Sequence, residues 1–326
     1  MSYAHRAEWA GSDVLGFDKG AMKAKLSGIF AALVTPRDRQ GRVNYGTFDC
    51  LVDFVLERGI DGLVVCGATG EYPHLELKER KKLIARAVKR SPRNMTVMAC
   101  IGASSIYTTL KLGEHALEAG SRALLLPAPH FFHYEQHDLV TFCKIVARTL
   151  QAPCVLYNLP SFTNRFDTDT SIQLLVAEKH IIGIKDSSGD RQSLVRFAQA
   201  RPKDGFSLIV GHDALIWDAL AAGWDGIVSG IACFLPELLV SYYRGFRAGE
   251  SETTCRCRAL VHQLTEEINK LPIPWGIRLG LDIRGIPTGP LPLPLSAARK
   301  REIAQFRDWL RRWLPEHDVA SLAATQ

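Results

Sequence analysis

The sequence predicts an α/β protein, a closed parallel (β/α)8 barrel of the TIM type followed by a C-terminal helical extension. Eight short apolar runs recur between residues 29 and 229, and segments with a helical period separate them. The runs are continuously apolar rather than alternating, which is typical of parallel strands that are covered on both faces. A length of 326 residues fits one barrel of roughly 250 residues with extensions.

The predicted strands follow one another at regular intervals. They span residues 29–34, 62–66, 96–101, 123–126, 154–157, 181–184, 207–210 and 226–229. After the first strand, a buried helix face is indicated by the i, i+3, i+4, i+7, i+8 spacing of Phe48, Leu51, Val52, Val55 and Leu56. Gly59 and Gly120 supply helix stops before the second and fourth strands. Short right-handed crossovers between consecutive strands close such a sheet on itself.

An open, doubly wound sheet is the alternative to the barrel. That architecture calls for Gly-x-Gly-x-x-Gly after the first strand, whereas Thr35-Pro36-Arg37 stands there. We therefore assign residues 27–250 to the barrel and residues 1–26 to an N-terminal arm. Residues 251–326 are predicted to form a C-terminal helical domain, with helices over 253–270, 275–282 and 297–313; a helix over 236–247 closes the barrel.

Composition and charge narrow the classes of function. A chain that is 47% apolar and 23% charged is an ordinary globular protein, and its net charge of +6 is spread along the chain. The densest basic run, residues 78–90, is interpreted as a solvated helix face rather than a nucleic-acid site. No apolar stretch reaches ~18 residues, so no membrane span is expected, and residues 1–25 lack the apolar core of a secretory signal.

Eight cysteines occur without a Cys-x-x-Cys pair. Several of them lie in the apolar runs, namely Cys66, Cys100 and Cys154. We expect small buried thiols in a reduced, cytoplasmic protein.

Lys185 is the most informative side chain, because a parallel barrel places its active site at the C-terminal ends of the strands. It closes the sixth apolar run, so barrel core would surround it. Burial disfavours the ammonium form and lowers the pKa of a lysine, and a neutral amine can attack a ketone to form a Schiff base. The alternative from the strand alone is a lysine that pairs with Asp186 or reaches solvent.

Two further strand ends carry candidate chemistry. Tyr157 closes the fifth run, and a phenol beside a Schiff-base lysine can shuttle protons; the alternative is a packed tyrosine with its hydroxyl in water. Thr69 lies in Gly67-Ala68-Thr69-Gly70-Glu71 after the second run. The glycines permit a tight turn with exposed N–H groups that suits a carboxylate, although Gly-x-x-Gly alone is a weak signal.

These elements together resemble the dihydrodipicolinate synthase / N-acetylneuraminate lyase family of pyruvate-dependent class I aldolases. The resemblance extends from about residue 27 to residue 295, and Lys185 follows Tyr157 by 28 positions, as in the family. The matching motifs are Gly28-Ile29-Phe30 through Thr35-Pro36, Gly67-Ala68-Thr69-Gly70-Glu71, Leu156-Tyr157-Asn158-Leu159-Pro160, Gly183-Ile184-Lys185-Asp186-Ser187-Ser188-Gly189-Asp190, Gly211-His212-Asp213, Gly226-Ile227-Val228-Ser229-Gly230 and Pro272-Ile273-Pro274.

The resemblance implies a role for each matching residue. Lys185 would form an imine with pyruvate or another 2-oxo acid, and Tyr157 would be the proton shuttle. Thr69 and the backbone of its loop would hold the carboxylate of the 2-oxo acid, and Val228 would line the pyruvate pocket. The imine through Lys185 makes a metal or organic cofactor unnecessary. The family also implies a homotetramer built as a dimer of dimers.

Three positions depart from the pattern of dihydrodipicolinate synthases. Ala68 stands where they carry a threonine, so one hydroxyl of the proton relay is missing. Phe131 stands where they carry a tyrosine donated by a neighbouring subunit, with Tyr134 as a substitute if the loop is shaped differently. Phe162 stands where they carry an arginine for the carboxylate of aspartate semialdehyde, and Arg165 is three residues further on.

The sequence thus indicates an intact pyruvate half and a more apolar acceptor half. The favoured hypothesis is an aldolase or hydratase-aldolase whose aldehyde is less charged than aspartate semialdehyde, and aromatic or sugar-derived. Two alternatives stay open: an authentic 4-hydroxy-tetrahydrodipicolinate synthase of lysine biosynthesis, and a non-catalytic barrel that binds a 2-oxo acid. A zinc site at His130, His133 and His137 is disfavoured because Pro129 indicates a loop there, and no further ligand completes a clear set.

Overall fold

Eight parallel strands form one closed barrel in the computed structural model, which describes residues 25–203 and 205–318. The strands are β1 (Gly28–Ala32), β2 (Gly62–Val65), β3 (Thr96–Cys100), β4 (Ala123–Pro127), β5 (Cys154–Asn158), β6 (Ile181–Asp186), β7 (Ser207–Val210) and β8 (Gly226–Ser229). Each strand lies on one of the apolar runs, and β1 pairs with both β2 and β8. The predicted (β/α)8 barrel is confirmed, and the open sheet is excluded.

Twelve α-helices surround and extend the barrel within the described residues. They are α1 (Tyr45–Leu56), α2 (Leu77–Arg90), α3 (Ile106–Glu118), α4 (Gln136–Leu150), α5 (Thr168–Ala177), α6 (Arg191–Ala200), α7 (Ile216–Ala221), α8 (Ile231–Phe234), α9 (Pro236–Ala248), α10 (Ser251–Ile268), α11 (Trp275–Ile283) and α12 (Ala297–Glu316). The apolar face predicted for α1 is buried at Phe48, Leu51, Val52 and Val55.

Strand residues alternate between two separate apolar clusters. One cluster contains Phe30, Val64, Met98, Leu125 and Ile209, which fill the inside of the barrel. Their chain neighbours, such as Ile29, Leu63 and Leu124, belong to a larger cluster with the surrounding helices. Both faces of every strand are therefore apolar, which explains why the strands read as continuous runs.

The C-terminal helices form as the sequence predicts. Helix α10 packs on α9, α11 packs on α8, and α12 packs on α11. The division proposed at residues 250 and 251 falls between α9 and α10, and as a domain boundary it stays a prediction. Of the predicted N-terminal arm, residues 1–24 lie outside the described residues; Lys25 forms an ion pair with Asp225 at 2.7 Å.

The basic run over residues 78–90 forms α2, and it is only partly a solvated face. Lys78 is 81% exposed at its side chain, as expected. Arg80, in contrast, is 4% exposed and donates to the carbonyls of Cys100 and Gly102. Interpreting the whole run as solvated is therefore wrong for Arg80, because strand-end carbonyls need donors inside the fold.

All eight cysteines are free, and the three predicted as buried thiols, Cys66, Cys100 and Cys154, are buried. Among the described residues, none of the helices combines the length and apolar character that crossing a membrane requires.

Candidate active site

Lys185 and Tyr157 meet inside the C-terminal end of the barrel. The register of β5 and β6 places the two residues side by side. Both side chains are buried, with Lys185 5% exposed, and the Lys185 Nζ lies 3.9 Å from the centroid of the Tyr157 ring. The phenol is thus adjacent to the amine, which is the arrangement that the strand-end argument anticipates.

The environment of Lys185 favours its neutral form. Burial lowers the pKa of the amine from 10.5 to about 8, while Cys100 and Asp213 favour the charged form and limit the shift. Near neutral pH a substantial share of the amine is therefore free to act as a nucleophile. Burial raises the pKa of Tyr157, so its phenol stays protonated and can donate or accept a hydrogen bond.

Gly211 makes room for the lysine. A Cβ at that position would lie 2.7 Å from Lys185 Cε and 2.2 Å from Ser187 Oγ, closer than real atoms approach. Any side chain at Gly211 would push the lysine out of its place beside Tyr157. This contact explains the glycine of the Gly211-His212-Asp213 motif in terms of packing.

A buried hydrogen-bond network connects the ends of β5 and β6. Asn158 donates to Asp186 at 2.8 Å and accepts from the backbone N–H of Phe166 at 3.1 Å. Ser188 donates to the second carboxylate oxygen of Asp186 at 2.6 Å. Asp186 is therefore part of this network, and the described contacts include no ion pair between Asp186 and Lys185. The network fixes the two strand ends that carry the candidate residues.

Thr69 lies on the turn after β2 and is half-buried. Its hydroxyl oxygen is 3.7 Å from the position that a Cβ on Gly230 would occupy. Gly230 directly precedes α8, and Val228 of β8 is buried in the same inner cluster as Tyr157. The structure thus places Thr69 against the end of β8, opposite the strands that carry Lys185.

The loop around Thr69 is anchored from two sides. Thr35, which follows β1, donates to the carbonyl of Gly70 at 2.7 Å. Glu71 forms a buried ion pair with Arg278 of α11 at 3.1 Å. The Arg278 guanidinium also donates to the carbonyls of Thr288 and other residues before α12, so the C-terminal helices position this barrel loop.

A cavity of about 520 Å³ adjoins this loop, and it is lined by residues that follow β2, β4 and β5 and by the C-terminal segment. Its wall includes Ala68 and the half-exposed ring of Phe162, together with Ile273, Trp275 and Leu293 from the C-terminal segment. The wall is mostly apolar. Ala68 and Phe162, two of the three departures from the synthase pattern, therefore line one space.

Arginines near this cavity already have carboxylate partners. Arg299 lies on its wall, where its guanidinium pairs with Glu302 at 2.7 Å and lies 5.8 Å from the Trp275 ring. Arg165 lies within 4.0 Å of Asp167 and Asp190. In the described residues, Arg165 does not line the cavity and does not replace a cation at Phe162.

Phe131 is displayed on the surface of the single chain. It is 85% exposed, has a positive φ of 84°, and packs edge to face on Phe132 at 5.0 Å. Asn164 holds this loop by donating to the carbonyls of Pro129 and Phe132. The chain itself does not bring Phe131 to the cavity, so its predicted contact with substrate would need a second subunit.

The three histidines after β4 do not converge. His130 lies 3.3 Å from the hydroxyl of Tyr72, whereas His133 and His137 are exposed. The described residues hold no group of three or more His, Cys, Asp or Glu side chains placed to bind one metal ion.

Sequence reasoning missed several side chains of this site. Tyr72 directly follows the Gly67–Glu71 motif without being part of it, and Arg80 lies within the run that was interpreted as a solvated helix face. Cys100, which ends β3, was named only as a buried thiol, and Asp213, which opens the 3-10 turn after β7, was named only within its motif; neither was assigned to the surroundings of Lys185. Arg278 gave no signal, because only the fold brings α11 to Glu71.

The fold and these side chains define a class of protein, a (β/α)8-barrel lyase of the Schiff-base type. Comparison with known proteins then gives the family. The chain belongs to the dihydrodipicolinate synthetase family, whose model matches residues 25–312. Its members are pyruvate-dependent class I aldolases that use a lysine Schiff base, so the predicted family and enzyme class are confirmed.

Individual relatives agree with this assignment. The chain is 30% identical to the 4-hydroxy-tetrahydrodipicolinate synthase of Bacillus subtilis over 82% of this chain and 92% of that protein. It is 31% identical to the synthase of Methanopyrus kandleri over 90% and 97% of the two chains. The crystal structure of dihydrodipicolinate synthase from Aquifex aeolicus matches with a TM-score of 0.83 and 26% identity, covering 88% of this chain and 98% of that chain.

Proposed function

We propose that Lys185 is the Schiff-base lysine and that it condenses with pyruvate or another 2-oxo acid. The supporting observation is its buried amine, 3.9 Å from the Tyr157 ring centroid at the C-terminal end of the strands. The amine attacks the ketone, the carbinolamine loses water, and the imine loses a methyl proton to give an enamine. Tyr157 carries the protons in these steps. The chemistry needs neither a metal nor an organic cofactor.

Thr69 and its loop would hold the carboxylate of the 2-oxo acid. The support is the position of this loop against β8, where Val228 would contact the methyl side of pyruvate. The anchoring of Glu71 and Gly70 keeps the loop N–H groups in place, and such preorganised donors suit a carboxylate.

The acceptor would be an aldehyde that carries less charge than aspartate semialdehyde, either aromatic or sugar-derived. The support is the mostly apolar cavity, with Phe162 and Ala68 on its wall and Arg299 already paired with Glu302. A phenyl ring cannot pair with a carboxylate. Losing such a charged contact costs about 2–3 kcal/mol, or roughly two powers of ten in binding.

An authentic 4-hydroxy-tetrahydrodipicolinate synthase is the second candidate. The observation that favours it is that relatives 30–31% identical over most of their length are 4-hydroxy-tetrahydrodipicolinate synthases. The two candidates share Lys185 and Tyr157 and differ only in the acceptor, so an acceptor screen distinguishes them.

Borohydride reduction in the presence of pyruvate tests the proposal. We expect a covalent adduct on Lys185 in the wild type and none in Lys185→Ala. A barrel that only binds a 2-oxo acid would give no adduct with any 2-oxo acid, which would overturn the proposed imine. Pyruvate release from a panel of 4-hydroxy-2-oxo acids and sialic acid then identifies the acceptor. An ordinary enzymatic rate of dihydrodipicolinate formation would contradict the apolar-acceptor argument.

We further propose a cytoplasmic homotetramer built as a dimer of dimers. The exposed aromatic pair Phe131 and Phe132 supports a subunit contact, because two large apolar rings on one surface loop favour burial. Eight free cysteines, six of them buried, suit a reducing compartment. Sedimentation of the purified protein tests the assembly.

A further inference from the structure

Ser187 lies beside the proposed catalytic pair, directly after β6 and two positions after Lys185. Side chains two positions apart in an extended strand point to the same side, so the Ser187 hydroxyl shares the inner face with the lysine. The backbone N–H of Ser187 donates to the carbonyl of Asn158 at 2.9 Å, which extends the β5–β6 ladder beyond the pairing of Tyr157 with Lys185. Ser187 is therefore fixed against the end of the strand that carries the phenol.

Gly211 brings the Ser187 hydroxyl close to the lysine side chain. A Cβ at Gly211 would lie 2.2 Å from Ser187 Oγ and 2.7 Å from Lys185 Cε, so both atoms border one small space. The Ser187 hydroxyl donates to the carbonyl of Gly211 at 3.1 Å, and the N–H of Gly211 donates to the carbonyl of Asp186 at 2.7 Å. This two-way contact with the residue that follows β7 holds the hydroxyl in place.

The Ser187 hydroxyl also interacts with the phenol of Tyr157. Burial, and then the nearby Cys100, raise the pKa of Tyr157, whereas a side-chain hydrogen bond with Ser187 lowers it. While the phenol is protonated, the Ser187 proton lies on the Gly211 carbonyl, and the Ser187 oxygen can accept from Tyr157. Because a hydroxyl rotates, the same group can donate to the Tyr157 oxygen once the phenol has given up its proton.

Tyr157 needs such a partner for two reasons. Its side chain is 3% exposed, so a proton that it carries has little direct access to water, whereas Ser187 is half-buried. Ala68 packs against the same inner cluster as Tyr157 and lacks the hydroxyl that the resembling synthases use in their proton relay. A hydroxyl is thus missing on the side of β2, and one is present on the side of β6.

We propose that Ser187 is the positioning residue for the Tyr157 phenol and supplies the relay hydroxyl that Ala68 lacks; this inference rests on the proposed Schiff-base function. In imine formation, Tyr157 gives its proton to the carbinolamine oxygen, the C–O bond breaks to release water, and the nitrogen lone pair forms the C=N bond. Ser187 then donates to the phenolate. In enamine formation, the phenolate takes a methyl proton, the C–H electron pair becomes the C=C bond, and the C=N pair returns to nitrogen.

Exchange of the pyruvate methyl protons in heavy water, followed by proton NMR, tests the inference. It requires the Lys185 imine and the Tyr157 proton but no aldehyde. Ser187→Ala should lose about 10- to 100-fold in kcat for exchange, as expected for a hydrogen bond to a charged oxygen, with KM for pyruvate unchanged. The matched control is Ser193→Ala, which removes a hydroxyl that donates to Asp190 at 2.7 Å in α6 and should exchange at the wild-type rate.

Three further comparisons separate a role through Tyr157 from a structural one. In a Tyr157→Phe background, Ser187→Ala should cause no additional loss, because the hydroxyl acts through the phenol. Ser187→Thr, which keeps the hydroxyl, and Ala68→Thr combined with Ser187→Ala should both exchange faster than Ser187→Ala alone. The end-point yield of borohydride trapping on Lys185 should be equal in Ser187→Ala and the wild type, since only the rates of proton transfer differ.

Several outcomes would overturn the inference. One is wild-type exchange in Ser187→Ala, and another is a loss that adds in full to that of Tyr157→Phe. A lower end-point yield of trapping in Ser187→Ala would indicate a displaced lysine and hence a structural role. Equal slowness of both hydroxyl-bearing variants would show that the hydroxyl is not what the site requires. Absence of any adduct in the wild type would instead refute the Schiff base itself, so the two failures are distinguishable.

Discussion

The rate at which pyruvate forms an imine should rise with pH around a midpoint of about 8. Burial lowers the pKa of Lys185 to that value from 10.5. At pH 7 the neutral fraction of the amine then rises from about 0.03% to about 10%, a gain of roughly 300-fold over a solvated lysine. This gain is the contribution of the apolar barrel interior to nucleophilicity, before any effect of orientation.

The charge of Asp213 provides a perturbation of known sign. Asp213 favours the ammonium form of Lys185, so Asp213→Asn should move the midpoint below that of the wild type. Asp169→Asn is the matched control, because Asp169 is exposed and pairs with Arg196 on the outside of the barrel. Both variants remove one carboxylate charge, and only the first is expected to act on the amine.

The assay separates imine formation from reduction. Protein and pyruvate are mixed across a pH series, and aliquots are quenched into excess borohydride at one fixed pH, so that only the first step experiences the varied pH. The adduct on Lys185 is then quantified by mass spectrometry. A wild-type midpoint near 10.5, or an upward shift in Asp213→Asn, would refute the argument that desolvation activates the lysine.

Three other predictions follow from the same contacts. A charged Lys185 destabilises the folded state by about 3 kcal/mol below pH 8. Lys185→Met should therefore raise the free energy of unfolding in urea by up to that amount, and this gain should shrink as the pH rises from 8 to 10.5. A gain in the free energy of unfolding that does not change with pH would contradict this prediction. Phe162→Arg should improve kcat/KM for aspartate semialdehyde by roughly 100-fold, with Val176→Arg, an exposed position on α5, unchanged as the control. Arg278→Met should lower the free energy of unfolding by about 3–5 kcal/mol because the buried Glu71 loses its arginine and keeps only the half-exposed His74 at 3.8 Å, and Glu71→Gln in the same chain should recover part of it.

The strands could be located from the sequence because their composition has a direct physical cause. In a closed parallel barrel both faces of each strand are covered, so every position favours an apolar side chain. The eight runs stand out for that reason, and their regular spacing leaves room for one helix between each pair. Lys185 could be singled out because it ends a fully apolar run, and burying a lysine there without a function is costly in free energy.

Helix α2 shows where this reasoning failed. Its basic residues look alike in the sequence, yet Lys78 is solvated and Arg80 is buried beneath Tyr72. The difference arises because the carbonyls of Cys100 and Gly102, far away in the chain, present acceptors to only one of them. Sequence pattern reports the average polarity of a helix face and cannot identify such a distant partner.

The order of strands and helices, the apolar interior and the strand-end positions of Lys185 and Tyr157 were all determined by local sequence, because each depends on periodicity and on residue type alone. The pairing of Tyr72 with His130, the ion pair between Glu71 and Arg278 and the apolar cavity beside Phe162 were set by the folded chain. Each of these joins segments that are remote in sequence, and their distances depend on how the barrel closes and where the C-terminal helices pack.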